Sequence, residues 1–520
     1  MKKIILGIGF AALALYGYAE SQTKLVVGIT VTNFYPEWLH TYAGDLSDGG
    51  LKKIIGQGRG MRADYGYLYS QSGVDQATIY TGLLPSEHGI VAHEWYDRLR
   101  ERRQNNVLSS VYTEIGGEGE GLSPDWLQAL TLGCVMKMNN PFSKVFSIAA
   151  NGEEAVLSGG SCANMAVWLS EKSGRWVSSD YYADSLPGWL NQYNANNESD
   201  FFIRRGWMDL NDENSNVTAM RLKNKVGLVS GFYYDLAQTK RKYNTYRILK
   251  ATPYANTLVT NLAMELVRAE QLGKDNDPDL LALNYSCLDY MNRDLEVAAR
   301  EFRDAVMRLD RDVEKLLAFL DERVGKDNYT VFLTFSEARE LLPPELEKMR
   351  LASGYFSIFK AVALLKSYLN LCYGEGEWIL DYNSGQIYLN RPLIAEKQLS
   401  LSEMQDRIAD FLVEFEGVSR VQTAHSLTNN VSSAGVELLF QNAFSQKRSG
   451  DVLFALQPTW IPELKDAEDN LMRYSKRHKV PLYLFGAGRR VADKSECRMT
   501  ELLPMLCRIL DIPVPYTADN

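Results

Sequence analysis

The 520-residue sequence predicts an α/β fold: a central, mostly parallel sheet between two layers of helices, with inserted subdomains. Three observations carry this. Lys24 to Val31 (KLVVGITV) is a nearly unbroken apolar, β-branched run, as a strand buried on both faces requires. Leu280 to Tyr285, Thr330 to Thr334 and Pro481 to Phe485 have the same character. Between the runs at 280 and 330, Asp294 to Arg323 places Val297, Phe302, Val306, Leu309, Val313, Leu316, Leu317 and Leu320 at helical spacing. Strand, long amphipathic helix and strand form a crossover unit, which makes the sheet parallel.

In chain order, Lys2 and Lys3 precede the apolar run Ile4 to Leu15, and Gly17 and Ala19 supply small residues at a cleavage site. Residues 1–19 therefore read as a signal peptide, and the chain from 20 to 520 as one domain, periplasmic or secreted and not membrane-spanning after cleavage. Excursions are expected near 170–265 and 340–440. Gly206 to Glu265, polar and aromatic, reads as an insertion over the sheet. Trp378 to Leu389 alternates around Asn383-Ser384-Gly385 as a hairpin does, and Ser402 to Phe415 reads as a helix with Ser402 as N-cap.

A net charge of −9 argues against nucleic acid as a partner, since a phosphate-backbone binder needs a basic face. The six cysteines are spread through an exported chain, so disulfides are allowed, but their connectivity is not legible. No CxxC pair is present, which removes a cysteine-based zinc site.

With strands placed, the residues after each strand are where a ligand would sit. In order, LVVGITV, IYTGLLPSEHGIVAHEWYDR, LDRDVEKLLAFLDERVGKDNYTVFLT, QKRSGDVLFALQPTW and HKVPLYLFGAG resemble the alkaline phosphatase superfamily. The resemblance is to its exported phosphate-monoesterases related to nucleotide pyrophosphatases, and it covers the chain from about Leu25 onward. It implies an alkaline-phosphatase-like three-layer αβα sandwich. It also implies two zinc ions held by Asp and His, which activate a Thr or Ser nucleophile.

Measured against that resemblance, the catalytic equipment is missing. Thr32 follows the first strand where the family has Asp. Ser72 falls at the nucleophile position and His93 at a phosphate-contact position held by Asn. Asn151 and Glu153 fall where a Lys and an Arg clamp phosphate. Asp289 is the one metal ligand retained. Arg293 replaces its histidine partner, Ser336 and Glu337 replace the second Asp-His pair, and Lys479 replaces the last histidine, with His478 one residue out of register. None of the five histidines (His40, His88, His93, His425, His478) falls at a metal position.

A cation cannot ligate a cation, and hydroxyls with one carboxylate fall short of a zinc cage. The expectation is therefore no metal and no cofactor, with Asp289, Arg293, Lys479 and Glu337 converted to an ion-pair cluster. On this reading the protein is an exported pseudoenzyme with a binding or assembly role, its partner an unknown protein or a phosphorylated small ligand. Two alternatives stand beside it. One is a hydrolase rebuilt around Ser72, His93, Asp75 and Glu337. The other is an anion sensor in which Arg293 and Lys479 hold phosphate.

Overall fold

Eleven strands build the main sheet of the computed structural model, which describes residues 23–210, 231–294, 299–338, 341, 343–463, 479–487 and 494–515, with only the backbone of 292–294. In chain order they are β1 (Leu25–Thr32), β2 (Arg59–Asp64), β3 (Leu108–Ile115), β4 (Glu120–Leu122), β5 (Val145–Ala149), β6 (Met165–Leu169), β7 (Trp176–Ser179), β8 (Asp279–Tyr285), β9 (Tyr329–Ser336), β10 (Lys479–Gly486) and β11 (Glu496–Arg498). Across the sheet they run β11-β2-β10-β9-β1-β8-β5-β6-β7-β3-β4. The signal-peptide segment lies outside the described residues.

The five central strands, β9-β1-β8-β5-β6, are mutually parallel. Every residue of β1, β8 and β9 is buried, which is why their sequences are continuous apolar runs rather than alternating ones. The run at 481–485 behaves differently. β10 pairs antiparallel with both β9 and β2, and its side chains alternate between buried and open. It is therefore a half-covered flank and not a parallel core strand.

Four helices accompany the parallel strands: α1 (Ser72–Thr81), α2 (Gly152–Gly159), α3 (Cys287–Asp294) and α4 (Ala299–Leu320). α4 is the crossover between β8 and β9, and it buries Phe302, Val306, Leu309, Val313, Leu316, Leu317 and Leu320. Because β8 and β9 flank β1 on either side, this connection spans β1.

The stretch expected as an insertion over the sheet contains the helix Tyr254–Ala269. It buries Leu258, Leu262 and Leu266 and packs on α4 and β8, so it belongs to the helical layer. A disulfide joins Cys134 to Cys162; Cys287, Cys497 and Cys507 are buried thiols and Cys372 is exposed.

A second, four-stranded antiparallel sheet takes Ile379–Asn383, Gln386–Leu389, Val452–Leu456 and Val418–Thr423 in that spatial order, so this region reaches beyond residue 440. Its hairpin turns at Ser384 and Gly385, both at positive φ (48° and 72°), the twist a two-residue connection needs. The helix Leu401–Val413 packs on it through Met404, Ile408 and Leu412. Its N-cap is Ser400 rather than Ser402: Ser400 Oγ accepts from the Glu403 amide at 3.3 Å, with Ser and Glu in the spacing of a capping box.

Candidate functional site

Three parallel strands end side by side at Thr32 (β1), Tyr285 (β8) and Ser336 (β9), and α1 and α2 begin against them. α1 is buried along its whole length and stops at Gly82, whose left-handed φ of 66° ends the helix. Its first residue, Ser72, is thereby fixed over the strand ends.

The hydroxyls there contact one another. Thr32 Oγ1 lies 3.0 Å from Ser336 Oγ, 3.3 Å from Ser72 Oγ and 3.2 Å from Asn284 Oδ1. Both Thr32 and Ser72 reach one carboxyl oxygen, Glu154 Oε1, at 3.0 and 2.5 Å. Glu154 is 1% exposed and comes from the first turn of α2. Burial, reinforced by the negative charges of Asp289 and Glu153, pushes its carboxyl up to about 7, against the lowering effect of the two hydroxyl donors.

Its neighbour Glu153 packs against Gly73, the next residue of α1. Glu153 Oε1 accepts from Asn106 Nδ2 (2.5 Å), and Oε2 lies 2.7 Å from His93 Nδ1. Asn105 Nδ2 donates to His93 Nε2 at 3.1 Å, which leaves Nδ1 as the protonated nitrogen that donates to Glu153. Asn151 caps α2, its Oδ1 accepting from the Glu153 amide.

Glu337 sits in the left-handed region (φ 43°), which a non-glycine residue adopts only when its surroundings enforce it. Its amide donates to Asp75 Oδ2 at 2.7 Å, and its Oε2 accepts from the Ser72 amide at 3.3 Å. Asp75 also accepts from Tyr67 and Ser70, both at 2.6 Å. Full burial pushes the Asp75 carboxyl up to about 7 despite these donors.

Thr32, Ser72, Ser336 and Glu337 are therefore brought together, and Asp289, 4% exposed, lies close enough to Glu154 to raise it. Lys479 is not with them. It stands opposite Asp64 in the β2–β10 register, half-exposed, with its Nζ 3.9 Å from Asp64 Oδ2. The expected Asp289–Lys479 pair is thus not formed. The side chain of Arg293, and His478, lie outside the described residues. Nor does a rebuilt triad assemble: the described ring contacts of His93 are Glu153 and Asn105, and the carboxyl on Ser72 Oγ is Glu154. His88 is a core histidine, bonded to Thr78 and to the Ile90 amide, and burial takes it down to about 3.

Sequence reasoning passed over Glu154. The signal was present: two consecutive glutamates in the first turn of a helix preceded by a buried strand project in different directions, so both can face the site. Among the described residues, no group of three or more His, Cys, Asp or Glu is placed to hold a metal ion. No helix among them is long and apolar enough to cross a membrane.

The model of the family described as type I phosphodiesterase / nucleotide pyrophosphatase matches residues 26–335. A protein of Myroides odoratus called calcium-transporting ATPase is 28% identical over 97% of this chain and 95% of its own length. The alkaline phosphatase PafA of Elizabethkingia meningoseptica is 24% identical over 96% and 94%. The crystal structure of wild-type PafA superposes with a TM-score of 0.86 at 23% identity, covering 96% of this chain and 97% of that one.

Proposed function

The chain belongs to the type I phosphodiesterase / nucleotide pyrophosphatase family of the alkaline phosphatase superfamily, and on that premise we propose that it is an exported pseudoenzyme. It has lost zinc-dependent phosphate-ester hydrolysis and works by binding or assembly. The observation that carries this reading is the hydroxyl cluster at the strand ends. Thr32, Ser72 and Ser336 stand within 3.0 to 3.3 Å of one another through Thr32, and two of the three also reach Glu154.

A zinc pair does not fit these donors. Zinc takes about four ligands from thiolate, imidazole and carboxylate, whereas neutral hydroxyls already engaged with each other and with a carboxyl have little to offer. Without such activation a serine hydroxyl is a weak nucleophile. Its partner Glu154 is buried among other carboxyls, whose charge opposes the approach of a phosphate dianion.

The test is elemental analysis of protein purified with zinc supplied, together with monoester and diester hydrolysis assays on the wild type and Ser72→Ala. The expected result is no stoichiometric zinc and the same background rate from both proteins. Stoichiometric zinc, with hydrolysis abolished by chelation and by Ser72→Ala, would overturn the proposal.

A further inference from the structure

Two helices pack side by side on the small sheet, Ile358–Tyr373 and Leu401–Val413. Tyr368 stacks on Phe411 with ring centroids 4.7 Å apart, and Arg407 Nη1 donates to Cys372 Sγ at 3.8 Å. Residue numbers rise along one helix as they fall along the other. The pair is therefore antiparallel, and Lys366 stands level with Val413 and Glu414.

Their solvent faces carry opposite charge. From Lys348 to Tyr373 the chain has four basic residues, Lys348, Arg350, Lys360 and Lys366, and no Asp or Glu, although acids outnumber Lys and Arg by 65 to 56 overall. All four are exposed. The second helix and its C-terminal cap expose Glu403, Asp406, Asp410 and Glu414. Its one cation, Arg407, turns toward the first helix and lies 5.5 Å from the Tyr373 ring centroid. None of the eight exposed charges has an ion-pair partner among the described residues. Apolar side chains stand among them: Leu364 is 56% exposed and Leu371 86%. These two lie four residues before and three after Tyr368, hence on the side of the helix that meets its neighbour. Leucines held in water beside a fully packed helix face add nothing to the chain's own core.

We infer that this two-helix face is an interface between two copies of the chain. The sign pattern selects the partner. A basic strip beside an acidic one is self-complementary about a two-fold axis along the seam between the helices, because that axis sets the basic helix of each copy against the acidic helix of the other. Lys366 then faces the acidic strip of the other copy, and Leu364 and Leu371 leave water near the axis. An anionic lipid surface would attract one helix and repel its neighbour, whereas a second copy satisfies both. The strand-end site belongs to the other sheet, so the inference stands whether or not that site hydrolyses phosphate esters.

The test is a charge swap, read by sedimentation of the full chain. One variant carries Lys360→Glu and Lys366→Glu, which makes both strips acidic. Another carries Asp410→Lys and Glu414→Lys, which reverses the sign at the other strip. Wild type is expected to dimerise reversibly and each variant alone to associate at least ~10-fold more weakly. Their equimolar mixture is expected to recover the wild-type affinity as a heterodimer. Leu371→Asn should weaken the dimer without altering its charge. Thermal unfolding checks that each variant is folded; should a double variant fail to fold, Leu371→Asn and the single Lys366→Glu decide the matter. A wild type that stays monomeric up to ~100 μM would overturn the inference. So would folded variants that dimerise as tightly as wild type, or a mixture as weak as its components. Binding of a monomeric wild type to phosphatidylglycerol vesicles would overturn it as well, by giving this face to a lipid surface.

Discussion

Asp451 and Glu154 are both almost completely buried carboxyl groups, and the protein accommodates them in opposite ways. Asp451, directly before the inner strand Val452–Leu456 of the small sheet, lies 3.1 Å from Arg98 Nη2 and 2.7 Å from Arg391 Nη2, and it accepts from the Leu389 amide and the Gln405 side chain. Two guanidinium groups and two further donors meet its charge and lone pairs. Glu154, at the ends of the parallel strands, has two hydroxyl donors on one oxygen, none on the other among the described residues, and the charges of Asp289 and Glu153 beside it. The first carboxyl is compensated by cations; the second is pushed toward its protonated form, up to about 7. Burial alone does not decide which solution is used, since the desolvation problem is the same in both places.

The sharpest way to break this contrast is Asp451→Ala. It would strand Arg98, whose side chain is 17% exposed, beside Arg391. Breaking a buried, hydrogen-bonded pair costs about 3–5 kcal/mol, and the loss should appear in denaturant unfolding at pH 7. A loss below ~1 kcal/mol would mean that the arginines do not stabilise the small sheet through Asp451.

The next effect has the opposite sign and depends on pH. A buried carboxyl raised to about 7 binds a proton in the folded state that the unfolded chain, titrating near its ordinary value of 4.5, has released. Its contribution to stability is therefore fully present below about pH 4.5 and is lost as pH rises through about 7. Glu154→Gln removes the titration and keeps an acceptor for Ser72. It should stabilise the protein by ~1–3 kcal/mol at pH 8 and change it little at pH 5, as read from paired unfolding curves. A variant less stable than wild type at both pH values would refute the proton-retention account.

The smallest expected effect is at Lys479. Half-exposed and 3.9 Å from Asp64, it should contribute only ~0–1 kcal/mol, so Lys479→Ala should leave the unfolding midpoint nearly unchanged. A cost of several kcal/mol would restore Lys479 to a buried cluster of the kind its position in the chain suggests.

How much was legible follows from how local each determinant is. The apolar runs at 24–31, 280–285 and 330–334 announced fully buried strands because no other environment accepts them, and β1, β8 and β9 are buried throughout. Asn383-Ser384-Gly385 announced a hairpin because a two-residue turn needs left-handed residues. The misreadings are of another kind. The run at 481–485 looked like a core strand, yet its antiparallel flank position leaves one face partly open. Ser402 looked like an N-cap, but Ser400 is two residues nearer the true helix start and has Glu403 in capping-box spacing.

At the site, the chemical inventory is already written in the chain: hydroxyls at Thr32, Ser72 and Ser336, carboxyls at Glu153, Glu154, Asp289 and Glu337, and no histidine at a metal position in the family resemblance. Side-chain identity is fixed locally, so this much needs no fold. Which groups meet is set by packing alone. Strand register sets Lys479 against Asp64, and the packing of α2 against α1 puts Glu154 onto Ser72 and Glu153 onto Gly73 and His93. The cause is one of range. Electrostatic and hydrogen-bond energies depend on separations of a few ångströms between residues hundreds of positions apart in the chain, such as the 304 between Thr32 and Ser336. Only the packed sheet and helices fix such separations.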